Sequence, residues 1–259
     1  QNVLPLFAIP MCRTKIEPVN ENLVDYLKHR IDYNMMRPNS YNSANMKILD
    51  DPMCQSLKTA LLQQVNDFMK YLDVDTDKQK FYITTSWMNK YSHHEDSHQH
   101  YHSNSLISGV LYFEDCMDTA GISFHKRQGW DNLFQYSVNL DFKSPKSKNS
   151  MSYLYNESTV TIKPQQWDLL MFPSILNHSV QPNQSTDKVR YSLAFNTFIH
   201  GTVGDSGSIG MNDVFQYFDS QLTDDTGMDD TGMDDTGMDD TGMDDTGMDD
   251  TGMDDTGMD

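Results

Sequence analysis

Cysteine is scarce in this chain. Cys12, Cys54 and Cys116 are the only three in 259 residues, and no two form a C-x-x-C pair. So few, so far apart and odd in number, they make neither a disulfide framework nor a zinc site, and a reducing, cytoplasmic setting is expected. No run approaches the roughly 18 apolar residues of a membrane span, so no membrane partner is expected. The opening QNVLPLFAIPM lacks the basic start and long apolar core of a signal peptide. It also lacks an initiator Met, which leaves open a fragment or a processed chain. Positive charge is short as well, with 19 Lys and Arg against 38 Asp and Glu and a formal net charge of −19. That balance argues against nucleic acid as a partner. G-x-S-x-G, Walker and G-x-G-x-x-G loops are missing, and Ser, Cys and Lys form no convincing nucleophile arrangement.

The acidity has a local origin. From Thr226 the pentapeptide TGMDD runs six times and ends in a truncated TGMD. Residues 224–259 hold fifteen aspartates and no Lys or Arg, so residues 1–223 carry only −4. With one Met in five and two like charges per unit, the repeat buries too little to offset its ordering entropy, and disorder is expected. The functional alternative is a cation-binding or acidic interaction tail. GTVGDSGSIG after His200 marks a domain end. The expected organisation is one domain over 1–205, a linker over 206–223 and the acidic repeat over 224–259.

Within the domain, residues 1–15 read as a short strand, VLPLFAIP, interrupted by prolines that suit an edge position. Leu23, Val24, Leu27 and Ile31 then fall at helical spacing, predicting a helix over about 20–32. RPNSYNSAN breaks it. A second helix over about 52–72 is better marked, with Asp51 as N-cap, Pro52 in the first turn and Leu57, Leu61, Val65, Phe68 and Leu72 on one face. From Phe81 the period changes to two, in FYITTSWMNKY, SLISGVLYF, GISFH, STVTIK, DLLMFPS and KVRYSLAFNTFI. The prediction is a mainly β fold, an antiparallel double sheet of the jelly-roll kind over about 81–200, with the N-terminal helices as a supporting layer. Residues 126–157 interrupt the pattern with a long insertion that reads equally as a functional lid or as disorder. Seven of the eighteen methionines lie in the repeat, and the rest read as core filler.

Histidine carries the strongest chemical signal. Five of nine lie between 93 and 102, and His98, His100 and His102 alternate, so in an extended chain they face one side. A solvated His-rich loop would explain the cluster alone. Nearly eighty residues later His178 follows the strand of WDLLMFPSILNHSV, and Arg190 opens the next. A jelly roll brings an early and a late strand together at its mouth. Three protein ligands leave metal positions open for a co-substrate and dioxygen. A guanidinium in the same cavity suits a carboxylate; its bland alternative is a surface ion pair.

Four stretches, in order, carry a resemblance. They are W-x-N (Trp87, Asn89), H-x-H-x-x-S-x-x-SGV-x-Y (His100 to Tyr112), FPS-x-x-x-H-x-V (Phe172 to Val180) and R-x-S-x-A-x-N (Arg190 to Asn196). Together with LPLFAIP and the helix ILDDPMCQSLKTALLQQVNDF, they resemble the 2-oxoglutarate/Fe(II)-dependent oxygenases akin to prolyl 4-hydroxylases, over roughly residues 3–200. That group occurs in bacteria and in viruses of marine cyanobacteria, which for a viral chain would mean the host cytoplasm. The resemblance implies a double-stranded β-helix, Fe(II) on His100, His102 and His178, and 2-oxoglutarate with its distal carboxylate on Arg190. It places Tyr112 as hydroxyl donor to that carboxylate, Asn89 at the cofactor's other end, and Ser108 and Asn196 as looser candidates.

Two departures stand out. The superfamily's usual metal set is His-x-Asp/Glu with a distal His, whereas the register here puts His102 where a carboxylate is expected. His94-x-Asp96 and His98-x-His100 remain alternatives by spacing, with His98 otherwise behind the ligands or at the surface. Trp167 stands where the family prefers a small turn residue. The expected activity is a dioxygenase that hydroxylates an unknown substrate, releasing succinate and CO2. Peptidyl proline, a free amino acid, a nucleobase and a sugar all remain open as substrates, and so does a homodimer. The alternative is a cupin-like jelly roll that binds metal or ligand without turnover.

Overall fold

The computed structural model describes residues 8–38, 40–117, 119–126 and 157–201. These lie in the first of the two units into which the chain divides, Gln1–Tyr217. Most of the insertion, the linker, the acidic repeat and the start of the expected N-terminal strand fall outside the described residues.

Eleven strands form two antiparallel sheets among the described residues. They are β1 (Cys12–Lys15), β2 (Tyr33–Arg37), β3 (Ser40–Ser43), β4 (Gln79–Tyr91), β5 (Ser97–His100) and β6 (Ile107–Tyr112), then β7 (Ile122–His125), β8 (Thr159–Ile162), β9 (Asp168–Pro173), β10 (His178–Val180) and β11 (Arg190–Gly201). The larger sheet has the order β1-β9-β6-β11-β4-β3-β2, and the smaller β5-β10-β7-β8. This is the expected jelly roll.

Period-two alternation divides β6 and β9 of the larger sheet between two cores. On β9, Leu169 and Met171 join the larger cluster, while Leu170 and Phe172 join a smaller one with Tyr112, Ile122 and Phe124. Helix α2 (Gln55–Tyr71) contributes Leu57, Leu61, Val65 and Phe68 to the larger cluster, so the helix layer covers the sheet's outer face. The face towards the smaller sheet is left for the site.

A bulge decides which residues of β4 reach that face. Asn196 on β11 pairs with Thr85, but the next residue, Thr197, pairs with Ile83. Thr84 is therefore extra, and the pattern of facing reverses across it. Phe81 and Ile83 point into the helix-side core, as does Met88 beyond the bulge, whereas Thr85, Trp87, Asn89 and Tyr91 line the cavity.

Several local expectations are corrected. Among the described residues the edge strand expected over 1–15 is confined to Cys12–Lys15, past Pro10, where backbone N–H groups are available to pair with β9. The first helix, α1 (Glu21–Asp25), gives way to a π-helical turn over Tyr26–Arg30 and stops at an extended Ile31, not at residue 32. RPNSYNSAN is not a simple break, because Ser40–Ser43 pairs with both β2 and β4. The methionines outside the repeat are not all core filler: Met88 and Met171 are fully buried, but Met35, Met36, Met46, Met53 and Met117 are exposed.

Candidate metal and carboxylate site

His100 ends β5 and His178 begins β10, and the two are direct cross-strand partners. His102 follows two residues later, where its N–H donates to the Ser174 carbonyl at 2.9 Å. Their rings form a near-equilateral triangle, with centroids 5.1 Å (His100–His102), 5.1 Å (His102–His178) and 4.4 Å (His100–His178) apart. Each offers a ligand nitrogen, and the three nitrogens lie within 4.8 Å of one another. Among the described residues no other group of His, Cys, Asp and Glu comes together in this way. The alternatives His94-x-Asp96 and His98-x-His100 form no such group.

Two of the rings are pinned alike. His178 Nδ1 lies 2.9 Å from the Leu176 carbonyl and His100 Nδ1 lies 2.8 Å from the His98 carbonyl. A carbonyl only accepts, so Nδ1 carries the proton on both rings and Nε2 presents a lone pair. Burial pushes the His178 pKa down to about 3 and that of His102 to about 4, with His100 adding to the depression of both. Both rings are therefore neutral at pH 7 and ready to ligate.

Arg190 and Tyr112 line the same cavity. Arg190 is only 2% exposed, and its guanidinium sits over the rings of Tyr91 and Tyr112 at 5.4 and 5.2 Å from their centroids. Among the described residues its Nε and Nη1 have no hydrogen-bond partner, and neither does the Tyr112 hydroxyl. Burial also raises the Tyr112 pKa, which keeps that hydroxyl a donor. A buried, unpaired guanidinium is expensive unless an anion joins it.

The remaining candidates occupy a grid on the larger sheet. Ser192 lies between Asn89 and Tyr112, and Asn196 between Thr85 and Ser108. Asn89 and Asn196 line the cavity of about 380 Å³; Ser108 stands behind it, donating to Asn196 Oδ1 at 2.7 Å. Asn89 Oδ1 accepts from Trp87 Nε1 at 3.0 Å, and its amide nitrogen reaches Ser192. His98 also lines the cavity.

Ser174, inside the FPS motif, had no role from the sequence. Fully buried, it joins Ser105 and Ser108 through its hydroxyl at 2.6 and 2.8 Å, while its carbonyl holds His102. The motif contained the signal, but a serine beside a proline reads as ordinary turn chemistry.

Trp167, the second departure, adopts φ 65°, a left-handed conformation that suits a small residue better. Its N–H donates to the Tyr112 carbonyl at 2.8 Å and its ring meets Phe113 edge-on.

Residues 85–196 match a family model described as "Putative 2OG-Fe(II) oxygenase". No curated protein sequence matches the chain. Among solved structures, HygX from Streptomyces hygroscopicus with nickel, 2-oxoglutarate and hygromycin B bound is 11% identical, covering 73% of this chain and 82% of its own, with a TM-score of 0.45. A prolyl-4-hydroxylase from Pseudomonas putida is 15% identical, covering 73% and 92%, with a TM-score of 0.44. An oxidoreductase of the 2OG-Fe(II) oxygenase family from Burkholderia pseudomallei is 11% identical, covering 68% and 76%, with a TM-score of 0.43. Likeness at that level leaves the chemistry to the residues themselves. The matched segment, residues 85–196, is the one that holds the histidine triangle, Tyr112 and Arg190.

Proposed function

We propose that the protein is a 2-oxoglutarate- and Fe(II)-dependent dioxygenase that hydroxylates its prime substrate. The observation that carries this reading is Arg190, a buried guanidinium with two unpartnered nitrogens, beside an unpartnered Tyr112 hydroxyl in the cavity that the three histidines line. Both cofactors fit the residues present. Three convergent imidazoles suit a first-row divalent metal and leave positions open. A dicarboxylate reaching from there would supply the anion that Arg190 lacks.

His100, His102 and His178 would hold the iron. Arg190 would bind the distal carboxylate of 2-oxoglutarate, and Tyr112 would donate its hydroxyl to the same group. The His98 and Leu176 carbonyls fix the tautomers of two ligands before metal arrives. Phe172 and Phe124 pack against the His178 ring and keep water from that side. When bound, iron and 2-oxoglutarate supply the activation of dioxygen, with succinate and CO2 released. The three free cysteines support a reducing, cytoplasmic setting. Among the described residues no helix is long and apolar enough to cross a membrane.

The test is succinate release from 2-oxoglutarate with Fe(II), ascorbate and dioxygen, abolished in His178→Ala. Because turnover without prime substrate is slow in many such enzymes, stabilisation of the Mn(II)-loaded protein by 2-oxoglutarate against heat is the second measurement. A chain that shows neither effect is not a 2-oxoglutarate oxygenase, and a cupin-like binding module takes its place.

A further inference from the structure

The cavity wall continues past Arg190, Tyr112 and the histidines onto β2, β3 and residue 46. Its chemistry changes there. No Asp, Glu or Lys is among the described lining residues, and Arg190 is their one permanent charge. A charged guest in this part would lose its hydration and meet no counter-charge.

Besides Arg190 and Tyr112, one further lining residue is unsatisfied among the described residues. Asn42 on β3 pairs in register with Asn89 on β4. The Asn89 carboxamide is engaged by Trp87 and Ser192, whereas Asn42 Oδ1 is buried without a donor among the described residues. Native structures rarely keep such an acceptor without a reason. The same cavity lining includes accessible apolar and aromatic side chains: Met36 is 54% exposed, Met46 36% and Tyr101 57%. Exposed methionines adapt to the shape of an apolar partner.

We propose that this part of the cavity is the prime-substrate subsite and that Asn42 determines its specificity. The substrate it takes is uncharged where it enters. An apolar or aromatic body lies against Met36, Met46 and Tyr101, and an N–H or O–H is accepted by Asn42 Oδ1. The inference rests on the oxygenase reading, which places metal and 2-oxoglutarate beside this subsite. It removes free amino acids from the substrates that the sequence leaves open.

The test uses the full chain loaded with Mn(II) and saturating 2-oxoglutarate, titrated with indole-3-carboxamide and with indole-3-carboxylate by ligand-observed NMR. The carboxamide binds saturably, and the carboxylate binds at least about tenfold more weakly. Asn42→Ala weakens the carboxamide by about fivefold and leaves 2-oxoglutarate affinity unchanged. Asn42→Asp, which keeps an acceptor, retains the carboxamide. Lack of saturable carboxamide binding, equal binding of both probes, or an Asn42→Ala variant with unaltered carboxamide affinity overturns the proposal. If Asn42→Ala does not fold, Met36→Ala on the exposed edge decides, and unaltered carboxamide affinity there is equally fatal. A wild-type chain that binds no 2-oxoglutarate overturns the underlying oxygenase reading, whereas failure of the probe arms alone leaves that reading standing.

Discussion

Arg190 concentrates the site's chemistry in a single side chain. Replacing it with Gln keeps the volume and removes the charge. Losing one member of a buried charge pair costs about 2–5 kcal/mol, so the affinity of the Mn(II)-loaded protein for 2-oxoglutarate should fall by at least about thirtyfold, with metal affinity retained. Isothermal titration with 2-oxoglutarate separates the two effects. Ser174 acts from behind. Ser174→Ala strips Ser105 and Ser108 of a shared partner and loosens the turn whose carbonyls orient His102 and His178. Outer-shell losses of this kind lower metal affinity by roughly 10–100-fold, measurable by competition with a chelator. Proton linkage gives a third expectation. Burial holds the His178 and His102 pKa values near 3 and 4, below the value of about 6.5 in an unfolded chain. Below pH 6.5 the unfolded chain takes up protons that the folded one refuses. The stability these rings contribute is whole above that pH and is lost progressively towards pH 4–3. The urea midpoint of the metal-free protein should therefore be lower at pH 5.5 than at pH 7.5.

At the scale of elements, legibility followed hydrophobic period. Helix α2 could be read because its buried residues recur at helical spacing behind an Asp-Pro start, but it begins at Gln55 with Cys54 as N-cap; Asp51 caps the 3-10 turn Pro52–Cys54 that leads into it, accepting from the Met53 N–H at 2.8 Å. Asp51→Ala should cost about 1 kcal/mol in denaturant unfolding. The hairpin of β2 and β3 escaped notice because YNMMR and SYNS carry almost no alternation and gain their structure from pairing with β4. At three residues, β10 is too short to show a period, so His178 looked like the residue after a strand when it begins one. The glycine of the SGV motif has a packing reason that no local pattern reveals. A Cβ on Gly109 would stand 2.2 Å from the Phe195 ring on the neighbouring strand. Gly109→Ala should destabilise by about 1–3 kcal/mol through overpacking, with a lower melting temperature and a weakened site, since Val110 and Tyr112 sit on the same strand.

For the whole molecule, the order of motifs along the chain conveyed more than any one of them. The triangle could be anticipated because a jelly roll returns a late strand to an early one, so residues 78 apart in sequence, His100 and His178, pair directly. Asn42's unsatisfied oxygen could not be anticipated, since it follows from which neighbours use their hydrogen bonds. The TGMDD repeat contributes most of the net charge and no recognisable apolar period. Truncation after residue 223 should leave metal and 2-oxoglutarate affinities unchanged, as read by the same titrations. The triangle itself has an electrostatic consequence. Imidazoles that bind as neutral ligands do not offset the charge of a divalent ion, whereas a carboxylate in place of His102 would cancel one unit of it. A loaded centre of this composition keeps its full double positive charge, with the Arg190 guanidinium in the same low-dielectric cavity. The metal and Arg190 end of the cavity, as distinct from its uncharged outer part, therefore attracts anions, so its occupancy by 2-oxoglutarate should weaken with rising concentrations of competing inorganic anions more steeply than in a site with a carboxylate ligand.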